Sequence, residues 1–87
     1  MKALITGASS GIGLDMARYL ATKKCELILV ARDKEKLEKI QESLPTKVTI
    51  VVADLSNEQK VKELYVLTKK EKIDVLINNA GFGLCGE

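Results

Sequence analysis

No apolar run in the sequence exceeds five or six residues, far short of the roughly 20 that a membrane-spanning helix needs. Residues 1–5 lack the extended basic start, long apolar middle and cleavage site expected of a secretory signal. Basic residues never gather into a block of five or more, and the net charge is only +2. That argues against nucleic acid as a partner, as the short runs argue against a membrane. The two cysteines, Cys25 and Cys85, have neither metal-ligand spacing nor a pairing pattern. Free thiols in a cytoplasmic protein are the expectation, and nothing beside Cys85 in sequence would activate it. Proline occurs once, at Pro45, and there is no linker or low-complexity stretch. The 87 residues, 46% of them hydrophobic and 30% charged, suit one small globular domain spanning 1–87.

Four short runs rich in leucine and β-branched residues punctuate the chain: Ala3–Ile5, Leu27–Val30, Val48–Val52 and Ile73–Ile77. They are nearly continuous rather than alternating, as strands buried on both faces are. Between them, apolar residues keep helical spacing at Ile12/Met16/Ala17/Leu20, at Leu37/Ile40/Gln41/Leu44 and at Val61/Leu64/Tyr65/Thr68. Pro45 stops the second helix. Ser56 or Asn57 can cap the third, with Asp54 just before. Such alternation predicts a parallel sheet with crossover helices.

The stretch TGASSGIG, residues 6–13, spans the end of the first strand and the start of the first helix. Its three glycines, Gly7, Gly11 and Gly13, would each cost about 0.5–1 kcal/mol inside regular structure. A helix N-terminus offers unpaired N–H groups and partial positive charge, so it attracts phosphate. A Cβ at these positions would obstruct the turn, the approach of an anion, or the packing of helix on strand. The competing reading is a tight turn with no ligand. A mononucleotide P-loop does not fit, because no Lys-Ser/Thr follows the glycines.

The spacing Gly7-x-x-x-Gly11-x-Gly13 resembles the short-chain dehydrogenase/reductase family. So do Asp54-Leu55 after the third strand and Asn78-Asn79-Ala80-Gly81 after the fourth. The resemblance covers nearly the whole chain. It implies an α/β fold of Rossmann type, a doubly wound parallel sheet of which this chain supplies the N-terminal half, βαβαβαβ with strand order 3-2-1-4. It further implies that Gly7, Ser9, Ser10, Gly11, Ile12 and Gly13 wrap the pyrophosphate and adenosine ribose of a dinucleotide. Asp54 would accept from the adenine amino group, with the Leu55 backbone alongside. Asn79, Ala80 and Gly81 would pass under the cofactor ribose. Asn78 could touch ligand or satisfy buried backbone groups, and Asp54 could also serve as a helix cap.

Cofactor choice turns on the end of the second strand. An NAD site wants a carboxylate about 20 residues past the glycines, but the chain reads Val30-Ala31-Arg32. A guanidinium suits a 2′-phosphate, so NADP is expected over NAD. Two features weaken that preference. Ser10 stands where some NADP-preferring members carry a second basic residue, and Asp33 could pair with Arg32. Arg32 could also be a plain solvated cation.

In the family that the chain resembles, catalysis needs a serine after a fifth strand and a later Tyr-x-x-x-Lys. Tyr19…Lys23 and Tyr65…Lys69 match that spacing. With twelve lysines in the chain, composition supplies such pairs by chance, and both lie within helices away from the strand ends where ligands gather. Two readings follow. One is the cofactor-binding segment of an NADP-dependent oxidoreductase, whose full-length form acts on a carbonyl/alcohol pair while the 87 residues alone are inactive. The other is a non-catalytic nucleotide-binding or self-associating module complete at 87 residues. In the 3-2-1-4 order the fourth strand is an edge, and self-association through it is expected. Phe82, Leu84 and Cys85 could line a cleft mouth or form an ordinary connection.

Overall fold

The computed structural model describes residues 1–9 and 11–79. Seven elements alternate along it: β1 (Lys2–Thr6), α1 (Gly11–Thr22), β2 (Glu26–Ala31), α2 (Lys34–Ser43), β3 (Val48–Val52), α3 (Glu58–Lys70) and β4 (Val75–Asn78). All four strands are parallel, in the order β3-β2-β1-β4, which is the Rossmann-type arrangement expected from the sequence. Thr6 lies opposite both Val30 and Asn78, and Ala31 opposite Val52. The C-terminal ends of the strands therefore share one edge of the sheet. The segments that leave them, starting at Gly7, Arg32, Ala53 and Asn79, sit side by side there.

Two apolar clusters flank the sheet. On one face Ala3, Ile5, Leu27 and Leu29 pack with Ala17 and Ala21 of α1 and Leu37 and Ile40 of α2. On the other, Leu4, Ile28 and Val30 meet Leu64 of α3, with Leu67 and Ile73 beside it. Two helices thus cover the first face and one covers the second. β1 and β2 are buried almost throughout, as their continuous apolar runs require. β3 and β4 are not: Thr49, Val52, Leu76 and Asn78 are exposed. These two are the outer strands among the described residues; a single helix leaves part of their second face open at Thr49, Leu76 and Asn78, while Val52 ends β3 on the first face.

The helices correct the expected faces in one place. Ile12 is 70% exposed, although its spacing put it on the apolar stripe. The buried stripe of α1 is Gly13, Ala17 and Ala21. Small residues at four-residue intervals let this helix lie close against the sheet. α2 starts at Asp33, whose carboxylate accepts from the Lys36 N–H at 3.1 Å. Asp33 therefore caps a helix; pairing with Arg32 was the alternative that the sequence left open. The helix ends at Ser43, and Leu44 turns extended ahead of Pro45. For α3 the cap is Asn57, whose side chain accepts from Gln59 and Lys60 N–H, not Ser56 or Asp54.

The opposite edge of the sheet is pinned by Lys2. Its backbone exchanges bonds of 2.8 Å with Asp74, and its Nζ bonds Glu71 at 3.0 Å. The Glu71 carboxylate holds the Lys2 pKa above its ordinary value. Among the described residues, no helix is long and apolar enough to cross a membrane.

Candidate functional site

The turn from β1 into α1 is shaped mainly by its own backbone. The Ala8 N–H reaches across to the Val30 carbonyl at 3.2 Å and sews the turn to the end of β2. Gly7 and Gly11 both take positive φ, +62° and +60°, a region that side chains other than glycine enter at a cost of about 1–2 kcal/mol. Their surroundings differ. A Cβ on Gly7 would lie 3.3 Å from Asn79 Nδ2, whereas one on Gly11 would meet nothing within 4 Å. Gly13 is the tightest: its Cβ would collide with the Gly7 carbonyl and lie 2.9 Å from Asn79 Nδ2. So Gly7 and Gly13 admit the neighbouring chain, and only Gly11 faces open space.

Thr6 and Asn79 hold this turn against β4. The Thr6 side chain is fully buried. Its Oγ1 accepts from the Asn79 N–H at 2.9 Å and lies within donating distance of Asn78 Oδ1 at 3.2 Å and the Ile77 carbonyl at 3.4 Å. The Asn79 amide donates to the Gly7 carbonyl at 3.3 Å. Hence the side chains of both Asn78 and Asn79 tie β4 to β1. Thr6 was not singled out from the sequence, although it opens the quoted motif. A buried hydroxyl at the last position of a strand is the signal that could have marked it.

Beside the turn, an open recess of about 730 Å³ is lined by Ser9, Arg32, Asp33, Lys34, Glu35 and Lys36. Ala31, at the end of β2, is buried, and Arg32 is exposed, so the first side chain after β2 to line this space is a cation, with the Asp33 and Glu35 carboxylates following it. The segment after β3 completes the edge. Ala53 N–H bonds the Ala31 carbonyl at 3.0 Å, and Leu55 packs into the second cluster. That leaves the Asp54 carboxylate exposed. Its Oδ1 accepts from Ser56 N–H at 3.0 Å and from Ser56 Oγ at 2.7 Å. These two bonds hold the Asp54 carboxyl below its ordinary pKa, with a smaller contribution from the Arg32 charge. Gly7, Ser9, Gly11, Ile12, Gly13, Arg32, Asp54, Leu55 and Asn79 therefore gather along one edge. Ser10, Ala80 and Gly81 lie outside the described residues, as do Phe82, Leu84 and Cys85.

The two Tyr-x-x-x-Lys pairs stand elsewhere. Lys23 Nζ lies 5.5 Å from the Tyr19 ring and Lys69 Nζ 4.7 Å from that of Tyr65. Each is a cation–π contact between residues four apart on a helix.

The pattern of the short chain dehydrogenases matches residues 1–86. The chain belongs to the short-chain dehydrogenase/reductase family. It is 38% identical over 84 residues to a fatty acyl-CoA reductase of Acinetobacter baylyi, covering 91% of this chain and 28% of that enzyme. Among solved structures it resembles a short-chain dehydrogenase from Sphingobium yanoikuyae in complex with NADPH. That match has a TM-score of 0.83 and 36% identity, over 94% of this chain and 34% of the other. L-sorbose reductase from Gluconobacter frateurii, complexed with NADPH and L-sorbose, matches with a TM-score of 0.78 and 33% identity, over the same shares. The chain spans about a third of the length of the family members it matches.

The tie between strand ends predicts two linked losses of stability. Gly13→Ala is expected to lower unfolding free energy by about 1–3 kcal/mol through overpacking, despite the roughly 1 kcal/mol that alanine gains in helix propensity. Thr6→Val should cost a similar amount, since the part-buried Asn79 N–H loses its acceptor, while Thr6→Ser stays near the parent. Urea unfolding reads all three. Parent-like midpoints for both Gly13→Ala and Thr6→Val would show that the turn is not held this way.

Proposed function

We propose that these residues form the cofactor-binding segment of an NADP-dependent oxidoreductase acting on a carbonyl/alcohol pair. The observation that carries this reading is Arg32, exposed directly after β2 with no carboxylate at Ala31, lining an open recess together with Ser9 of the β1–α1 turn, Asp33 and Glu35. The residues fit the group. Gly7, Ser9, Gly11, Ile12 and Gly13 would hold the pyrophosphate and adjoining ribose at the start of α1, where free N–H groups and the helix dipole favour an anion. Arg32 would pair with the 2′-phosphate through its forked donors. Asp33 is engaged by the Lys36 N–H, and no ion pair joins it to Arg32 among the described residues. Asp54 and the Leu55 backbone would meet the adenine, and Asn79, tied to Gly7, would keep the far side of the turn in place. We extend the same roles to Ser10, Ala80 and Gly81. Two structural relatives are complexes with NADPH, which supports this choice.

The bound nicotinamide would supply the hydride. The proton-handling serine, tyrosine and lysine of the family have no counterparts at a strand end among the described residues, and we infer that the 87 residues alone bind without turning over. We also read the protein as cytoplasmic on its free-thiol usage, with no membrane or nucleic-acid partner.

Calorimetric titration of the chain tests the cofactor reading. NADP should bind tighter than NAD, and Arg32→Ala should lower NADP affinity about ten- to hundredfold, as loss of a charged hydrogen-bond pair does, while barely changing NAD. Similar affinities for NADP and 2′-phospho-ADP-ribose would place the contacts in the adenosine half. Equal parent affinities for NADP and NAD would contradict the reading.

A second reading, of a self-associating module, draws support from β4. Among the described residues β4 has only β1 as a neighbour. Leu76, opposite Leu4 in the register, is 44% exposed, and Val66 of α3 is 63% exposed. An apolar edge with unpaired backbone groups invites pairing, and we infer that two copies join along it across a two-fold axis. Sedimentation velocity should then show a concentration-dependent dimer that Leu76→Lys weakens. A monomer at all concentrations would refute it.

A further inference from the structure

Ser56 has no role in the reading above, yet it makes two short bonds to one side chain in the segment after β3. Both its N–H and its Oγ donate to the same oxygen of Asp54, at 3.0 and 2.7 Å. The next residue, Asn57, bonds its N–H to the Asp54 carbonyl at 3.1 Å and then caps α3. Ser56 is therefore not needed to start the helix. Asp54 is itself fixed at its base, because Ala53 is bonded to the end of β2. What Ser56 determines is how the exposed carboxylate is turned.

We propose that Ser56 is a positioning residue for base recognition: by taking up Oδ1 of Asp54, it presents Oδ2 as the acceptor for the exocyclic amine of an adenine. The inference rests on the reading of Asp54 as the adenine contact. A free aspartate side chain would lose rotamer freedom on binding, and restraint in advance removes that cost. A carboxylate already oriented also discriminates better, since a base with a carbonyl in place of the amine would set two acceptors face to face. The depressed Asp54 pKa agrees with the same two bonds acting on the ionised form.

The test uses NADP and its hypoxanthine analogue, identical except that a carbonyl replaces the adenine amine. Calorimetry on the parent chain should show NADP preferred. Ser56→Ala should reduce that preference about three- to tenfold by weakening NADP alone, which corresponds to one net hydrogen bond. Ser56→Thr should restore it, and Asp54→Ala should abolish it. In the ligand-free chain, the ¹³C-detected titration of Asp54 should move up toward the ordinary carboxylate value in Ser56→Ala. If Asp54→Ala abolishes the preference while Ser56→Ala keeps it, the positioning role is overturned and the adenine contact stands. If Ser56→Ala weakens both ligands equally, its role is merely structural and the proposal fails. If Asp54→Ala leaves the preference intact, the adenine reading falls and takes the proposal with it.

Discussion

The end of β1 is fastened to the end of β4 by one buried hydroxyl and one side-chain amide. Thr6 Oγ1 receives the Asn79 N–H, and Asn79 returns a bond to the Gly7 carbonyl. Everything at the C-terminal edge follows from that fastening. Gly13 must lack a side chain because the Gly7 carbonyl and the Asn79 amide occupy its Cβ position. α1 then begins directly over the strand ends, and its Gly13/Ala17/Ala21 stripe seats it against β1 and β2. The glycine-rich motif thus works on two sides at once. Two glycines admit the neighbouring chain, and the third leaves its outer side bare, where the proposed anion would meet a helix N-terminus.

Charge at this edge is arranged by engaging some groups locally and leaving others available. Asp33 holds the first turn of α2, so the cation next to it faces the recess without a bonded partner from that residue. Asp54 is engaged on one oxygen by Ser56, which steadies the carboxylate while keeping it exposed. Two opposite charges can then stand near each other on adjacent connections. The weak lowering of the Asp54 pKa by Arg32 reflects that proximity without a direct ion pair.

The parallel sheet with crossover helices was legible in uninterrupted apolar runs and helix-spaced stripes, and the strand order in the resemblance that the three motifs carry. Residue-level faces were less so. Ile12 fits an apolar stripe by spacing, yet α1 buries the smaller residues, since closeness to the sheet depends on small side chains and not on hydrophobicity alone. β3 and β4 have interior composition but outer positions, which a reading of local runs does not resolve. Asp33, Asn57 and Asp54 all qualify as caps by residue type. Which one caps which helix depends on where the first turn starts, a matter of one or two residues. Thr6 escaped notice, and Ser56 was weighed only as a helix cap, because their importance lies in a partner, and the Thr6 partner is 73 residues away in sequence.

Backbone amide chemical shifts test the dinucleotide reading most directly. On titration of the ¹⁵N-labelled chain with NADP, the largest saturable changes are expected at Gly7, Ser9, Gly11, Gly13, Arg32 and Asp54. Residues at the other edge, such as Glu26, Lys47 and Glu71, which line a smaller recess of about 220 Å³, should stay unmoved. Changes concentrated at that other edge, or none at the β1–α1 turn at saturating NADP, would contradict a cofactor seat on this turn.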